Sequence, residues 1–146
     1  MDFNLTETET AIAELTAQVL GDASGHEQLR ALENSDAPRF DRTLWATLAE
    51  TGVLGAFIAD THGGAGLGLV ALSATLEEAG RSAAAVPLWE TLGMGVLPIA
   101  EFAPAELASA VLPAVAAGEM VLTAGWHEDG GRCLSPTTIA TRTEEA

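Results

Sequence analysis

The stretch from Gly52 to Arg81, G-V-L-G-A-F-I-A-D-T-H-G-G-A-G-L-G-L-V-A-L-S-A-T-L-E-E-A-G-R, limits the fold of this chain more than any other. A helix closes at Gly52, and Val53 to Ala59 lacks both helical length and strict alternation, so it reads as a buried connector. His62-Gly63-Gly64-Ala65-Gly66 then turns the chain, since glycines so densely placed permit positive φ and close backbone contact. From Leu67 a helical pattern begins, with Leu69, Leu72, Leu76 and Ala79 on one face, Glu77 and Glu78 off it, and Gly80 as the stop. A helix–turn–helix unit of this kind needs further helices to cover its apolar faces.

The flanking sequence supplies them. Thr6 and Glu9 form a capping-box pattern, followed by Ile12, Leu15 and Val19 at helical spacing and by Gly21 as a stop. His26 to Leu32 reads as a short helix with Leu29 and Leu32 inward, and Asp36 to Phe40 as a proline turn. Asp41 is a suitable N-cap for a helix whose stripe is Leu44, Trp45 and Leu48. Pro87 suits the first turn of another helix reaching Phe102, with Leu88, Leu92, Val96 and Ile99 on one side. Gly93 and Gly95 inside it each cost about 0.8–1 kcal/mol relative to alanine, which implies that another element or a ligand approaches closely. Pro104 opens a last helix with Leu107, Val111 and Val115 on one face and Gly118 at its end. Beyond it the texture changes: Met120 to Ala124 and Thr137 to Thr143 suit strands, separated by a loop. Two strands do not make a stable sheet alone. Residues 1–118 therefore read as an α-helical domain, and 119–146 as the beginning of a β domain.

Composition narrows the partners. The 146 residues carry a net charge of −15, with six basic residues, all arginine, which argues against nucleic acid and against an anionic membrane surface. If the ligand is polyphosphorylated, most of its phosphate grip must come from outside these residues. Hydrophobic residues reach 48% and mean hydropathy is +0.25. That excess fits either helices that bury a second face against a partner or an alanine-rich bundle. Cys133 is the sole cysteine, so no internal disulfide forms and a reducing compartment is expected. The acidic start M-D-F-N-L-T-E-T-E lacks a signal-peptide pattern. No apolar run reaches the roughly 20 residues of a membrane-spanning helix. A cytoplasmic protein without membrane insertion is the expectation.

Self-contained chemistry is sparse. G-x-S-x-G, G-x-x-x-x-G-K and H-E-x-x-H are all missing. His127-Glu128-Asp129 has no second ligand at metal spacing and reads as a solvated loop. Glu77 and Glu78 read as a solvated helix face, because neighbours along a helix point apart. The H-G-G-A-G-L-G run lies at a helix N-terminus, where phosphate binds in other folds, but neither a preceding strand nor a lysine accompanies it. A plain turn is favoured, with His62 in a packing or turn-stabilising role. Trp45, Trp89 and Trp126 read as core or interface residues.

The chain nevertheless resembles the acyl-CoA dehydrogenases. The residues that carry the likeness are Leu44-Trp45, Leu48 to Gly55, Ala59 to Gly66, Leu76 to Arg81, Ser82 to Pro87, and Leu112-Pro113 followed by Ala117-Gly118-Glu119. They match the family's L-W, L-A-E-x-G-L-L-G, P-E-x-x-G-G-x-G, L-E-E-L-G-R, small-residue and L-P-x-x-x-x-G-E segments in order. The resemblance implies a mainly α fold, an N-terminal helical bundle followed by the first strands of a β-barrel domain. It implies FAD-dependent α,β-desaturation of an acyl-CoA substrate in a homo- or hetero-oligomer, with an electron-transfer flavoprotein as electron acceptor. The family's catalytic glutamate lies in a C-terminal part, so no glutamate here inherits that role. For the acyl pocket the resemblance points to Val86, Pro87, Glu90 and Met94, with room from Gly93 and Gly95; a packed core competes with that reading. For the flavin it points to Trp126, His127 and Cys133. There the family's T-E-P-x-A-G-S-D becomes His127 to Cys133, in which only Glu128 and a glycine agree. In some bacterial relatives, including steroid-side-chain enzymes, one subunit of a heteromeric complex has lost parts of the site. That departure admits a second reading, a non-catalytic, degenerate subunit that scaffolds an active partner. A third is a stand-alone acidic helical interaction module.

Overall fold

A computed structural model describes residues 4–36, 38–125, 128, 137–139 and 141. Six α-helices carry the described chain: α1 (Glu7–Ala23), α2 (His26–Glu33), α3 (Arg42–Glu50), α4 (Leu69–Ser82), α5 (Leu97–Phe102) and α6 (Ala105–Ala116). The expected mainly helical architecture is present. Helix α1 packs chiefly on α4 and also on α3, while α6 lies against α5.

Local chemistry sets the helix starts. The Thr6 amide donates to Glu9 Oε2 at 2.7 Å and the Glu9 amide to Thr6 Oγ1 at 3.3 Å, closing the capping box. Asp41 Oδ1 accepts from the Leu44 amide at 2.9 Å, which caps α3. Leu44, Trp45 and Leu48 are all buried. Trp45 donates its Nε1–H to the Gly118 carbonyl at 3.0 Å and so ties α3 to the end of α6.

The connector is buried as expected: Val53, Leu54 and Ile58 are fully enclosed around a single 3₁₀ turn at Gly55–Phe57. The glycine turn folds back onto it. The amides of Gly64, Ala65, Gly66 and Leu67 donate to the carbonyls of Ala59, Gly55, Ile58 and Ala56 at 2.8–3.1 Å. A Cβ on Gly64 would overlap the carbonyl oxygens of Ile58 and Gly55, so only glycine allows this approach. Because those amides are spent on the main chain, the turn has none to offer a phosphate.

Several helix details differ from the sequence pattern. Helix α1 runs through Gly21 to Ala23, and α4 runs through Gly80 to Ser82, where Ala83 takes the left-handed cap at φ 49°. Glycine in a last turn costs less than the contacts that the extra turn retains. Leu69 is 65% exposed and Leu107 47% exposed. The buried stripes are instead Ala71, Leu72 and Thr75 in α4, and Ala108, Leu112 and Val115 in α6. Leu72 and Val115 of the expected stripes stay buried, and Leu76, Ala79 and Val111 pack partly buried against the core. Residues 120–125 form no strand ladder; an extended segment becomes a strand only beside a partner. Of the second strand expected at 137–143, only 137–139 and 141 are described, and these pair with no strand.

Candidate functional site

The segment between Pro87 and Leu97 is where the resemblance places an acyl pocket, and its geometry is unusual. Residues Trp89–Val96 wind as a π-helix, and the Leu97 amide bonds to Leu92 O, five residues back. Such widened turns are rare and gather at functional sites. Leu88, Leu92 and Val96 bury one side completely or nearly so. Val86, Pro87 and Met94 are half-buried and Glu90 is exposed, so the four expected pocket residues belong to one short segment with a wet and a dry side.

Both glycines of this segment are explained by close neighbours. The Trp89 indole lies against Gly93, where a Cβ would overlap its six-membered ring. Trp89 itself is 55% exposed, so this tryptophan is a surface ring rather than core. At Gly95 the space is filled by Leu122. Thr91, wholly buried, donates its hydroxyl to the Leu122 carbonyl at 3.1 Å and accepts from the Leu122 amide at 3.3 Å. Sequence reasoning overlooked Thr91 and Leu122. The available signal was a threonine close to G-M-G, between apolar Trp89 and Leu92 positions, that the helical pattern left unassigned.

Two clefts lie elsewhere. One of about 450 Å³ sits between α3 and the end of α6, lined among others by Phe40, Arg42, Trp45 and Glu119. Arg42 stacks over the Phe40 ring at 5.3 Å, and Phe40 meets Trp45 edge-on at 5.9 Å. The other, about 510 Å³ and mostly apolar, lies between α1 and the glycine turn. Val86, Pro87, Glu90 and Met94 line neither.

Glu128 accepts from the Thr137 amide at 2.6 Å, the Thr137 hydroxyl at 2.8 Å and the Thr138 amide at 2.9 Å. The Thr138 hydroxyl above all, then the Thr137 and Thr138 amides and the Thr137 hydroxyl, lower its pKa from 4.5 to about 2. It is a structural carboxylate, saturated with donors. Trp126, His127 and Cys133, the residues expected at the flavin, lie outside the described residues. Among the described residues the buried hydroxyls without a partner are Ser24 and Thr75, both within the helical bundle, and no group of His, Cys, Asp and Glu could hold a metal. Glu77 and Glu78 pair with Arg81 at 2.8 and 3.2 Å and form no dyad. No helix of the described residues is long and apolar enough to cross a membrane.

Comparison with known proteins agrees with this fold. Residues 6–119 match the family described as acyl-CoA dehydrogenase, N-terminal domain. Acyl-CoA dehydrogenase FadE28 of Mycobacterium tuberculosis is 34% identical over 131 residues, covering 89% of this chain and 32% of that protein. Among solved structures, a variant of the Tcur3481–Tcur3483 steroid ACAD is 46% identical with a TM-score of 0.75, over 80% of this chain and 32% of that one. The ChsE4–ChsE5 complex from Mycobacterium tuberculosis is 30% identical with a TM-score of 0.79, over 84% of this chain and 34% of that one. The chain thus spans about a third of the length of these relatives. It belongs to the acyl-CoA dehydrogenase N-terminal domain family.

Proposed function

We propose that this chain is the N-terminal helical domain of an FAD-dependent acyl-CoA dehydrogenase subunit that desaturates an acyl-CoA thioester in a β-oxidation-type step. The match to the family across residues 6–119 carries this reading. The domain's part is to shape the acyl pocket, through Val86, Pro87, Glu90 and Met94 on the π-helical segment, and to hold the oligomer together. The base that removes the α-proton and most of the FAD contacts are supplied from outside the described residues, and an electron-transfer flavoprotein takes the electrons. The likeness to a steroid ACAD supports a bulky, steroid-type acyl group and a hetero-oligomer. A reducing, cytoplasmic setting fits the lone Cys133.

A second reading, a scaffold subunit that has lost its own flavin contacts, is favoured by the poor match of His127 to Cys133 to the family's flavin segment. Purification of the complete protein with its partners tests both. A flavin absorbance that bleaches on adding a steroid acyl-CoA is the expected result. Colourless protein that copurifies with a flavin-bearing homologue favours the scaffold. Within the first reading, Gly93→Val, whose side chain must displace the Trp89 indole, should shorten the acyl groups accepted; unchanged chain-length preference removes the pocket assignment.

A further inference from the structure

Thr91 is wholly buried inside the π-helical segment, yet its hydroxyl serves a residue 31 positions later. It donates to the Leu122 carbonyl and accepts from the Leu122 amide. One side chain supplies both bonds that a neighbouring strand would supply. An independent observation concerns the same residue: the Leu122 side chain occupies the space that the missing Cβ of Gly95 leaves open. The hydroxyl fixes Leu122 along the helix, and the glycine notch fixes its distance from the axis. The widened winding at Trp89–Val96 places both features on the buried side, while Glu90 remains exposed.

We propose that Thr91 is a positioning residue. It sets the register between the helix that carries Glu90 and Met94 and the segment that leads through Leu122 to Glu128. If the proposed dehydrogenase function holds, this register bears on how the acyl end of the site is placed relative to the chain that follows Leu122. The inference rests on that function only for its kinetic consequence; the joint itself does not depend on it.

The test uses the complete subunit with its partners and two substitutions, Thr91→Val, which keeps the shape and deletes both bonds, and Thr91→Ser, which keeps the hydroxyl. Amide exchange at Leu122 should speed up at least tenfold in the valine variant and stay near wild type in the serine variant. Turnover of a saturating acyl-CoA should fall roughly ten- to a hundredfold in the valine variant, as for other small misplacements of reacting groups, with KM changed less than about twofold and serine restoring kcat. Thr75→Val, which removes a buried hydroxyl that has no partner, should leave kcat unchanged. Where Thr91→Val does not fold, Gly95→Ala forces Leu122 outward and should give the same exchange and kinetic pattern. Unchanged Leu122 exchange in the valine variant overturns the joint, and lost exchange protection with unaltered kcat overturns the positioning role. If the wild-type protein neither binds flavin nor turns over acyl-CoA, the functional reading fails. The exchange comparison then decides the joint by itself.

Discussion

Gly63 and Gly64 are neighbours in the turn and should respond to alanine by different mechanisms and to very different extents. Gly63 sits at φ +85° with open space around the position of a Cβ. Alanine there pays only for the left-handed backbone, about 1–2 kcal/mol, partly offset by a stiffer unfolded chain. Gly64 is not among the positive-φ residues, yet a Cβ would overlap the carbonyl oxygens of Ile58 and Gly55. Both obstacles are main chain and cannot swing aside. Both also accept hydrogen bonds from the turn, Gly66 to Ile58 at 2.8 Å and Ala65 to Gly55 at 3.1 Å. Relief of the overlap must stretch or break both. At about 1–3 kcal/mol for each buried group left unpaired, Gly64→Ala should cost roughly 2–6 kcal/mol, a large part of a typical 5–15 kcal/mol stability. Urea unfolding of the two variants, compared at constant slope, gives the difference directly. If Gly64→Ala costs no more than Gly63→Ala, the close-contact explanation of the turn is refuted.

Other substitutions follow from single observations. Thr75 is wholly buried with an unpaired hydroxyl among the described residues, so Thr75→Val should stabilise by about 0.5–2 kcal/mol, read as a rise in thermal midpoint. Ala83 holds a left-handed cap at φ 49°, and Ala83→Gly should stabilise by about 0.5–1 kcal/mol in the same assay. Trp45→Phe leaves the Gly118 carbonyl without its 3.0 Å donor and should cost about 2–4 kcal/mol, the lost bond plus the lost ring area. The Glu128 carboxyl is lowered from 4.5 to about 2, so the stability it lends is present above pH 4.5 and lost as pH falls through that window toward 2. Corrected amide protection at Thr137 and Thr138 should fall over the same range, and Glu128→Gln should lower it already at neutral pH.

The helices were legible because each announces itself locally. Thr6 with Glu9, Asp41 with Leu44, and the stripe Leu44-Trp45-Leu48 depend on spacings within four residues, and all appear as read. In α4 and α6 the pattern passed over Ala71 and Ala108, because alanine carries little hydropathic weight, yet both are buried. Leucine outranked them in the pattern and was left outside at Leu69 and Leu107. For the site, two glycines in one helix correctly announced close approach, but sequence could not say by what. The answer combined one local residue, Trp89, with one distant residue, Leu122. The π-helical winding had no sequence signal either, since hydrophobic period distinguishes helix from strand and not one helix type from another.

Two distant bonds converge on the chain that leaves the bundle. Trp45, from α3, grips Gly118 across 73 positions, and Thr91, from the π-helical segment, grips Leu122 across 31. Between them the amides of Glu119 and Met120 both return to the Ala114 carbonyl, at 2.9 and 3.2 Å. The chain leaving the bundle is therefore held at both ends of a short span, by side chains from two different elements, before it goes on toward Glu128. Each bond contributes only about 1 kcal/mol to net stability, too little to explain the arrangement as stabilisation. Geometry is the better account: two pins fix a direction as well as a point, where one would leave the segment free to pivot. A helical bundle that holds the departing chain at two points delivers it in a fixed direction.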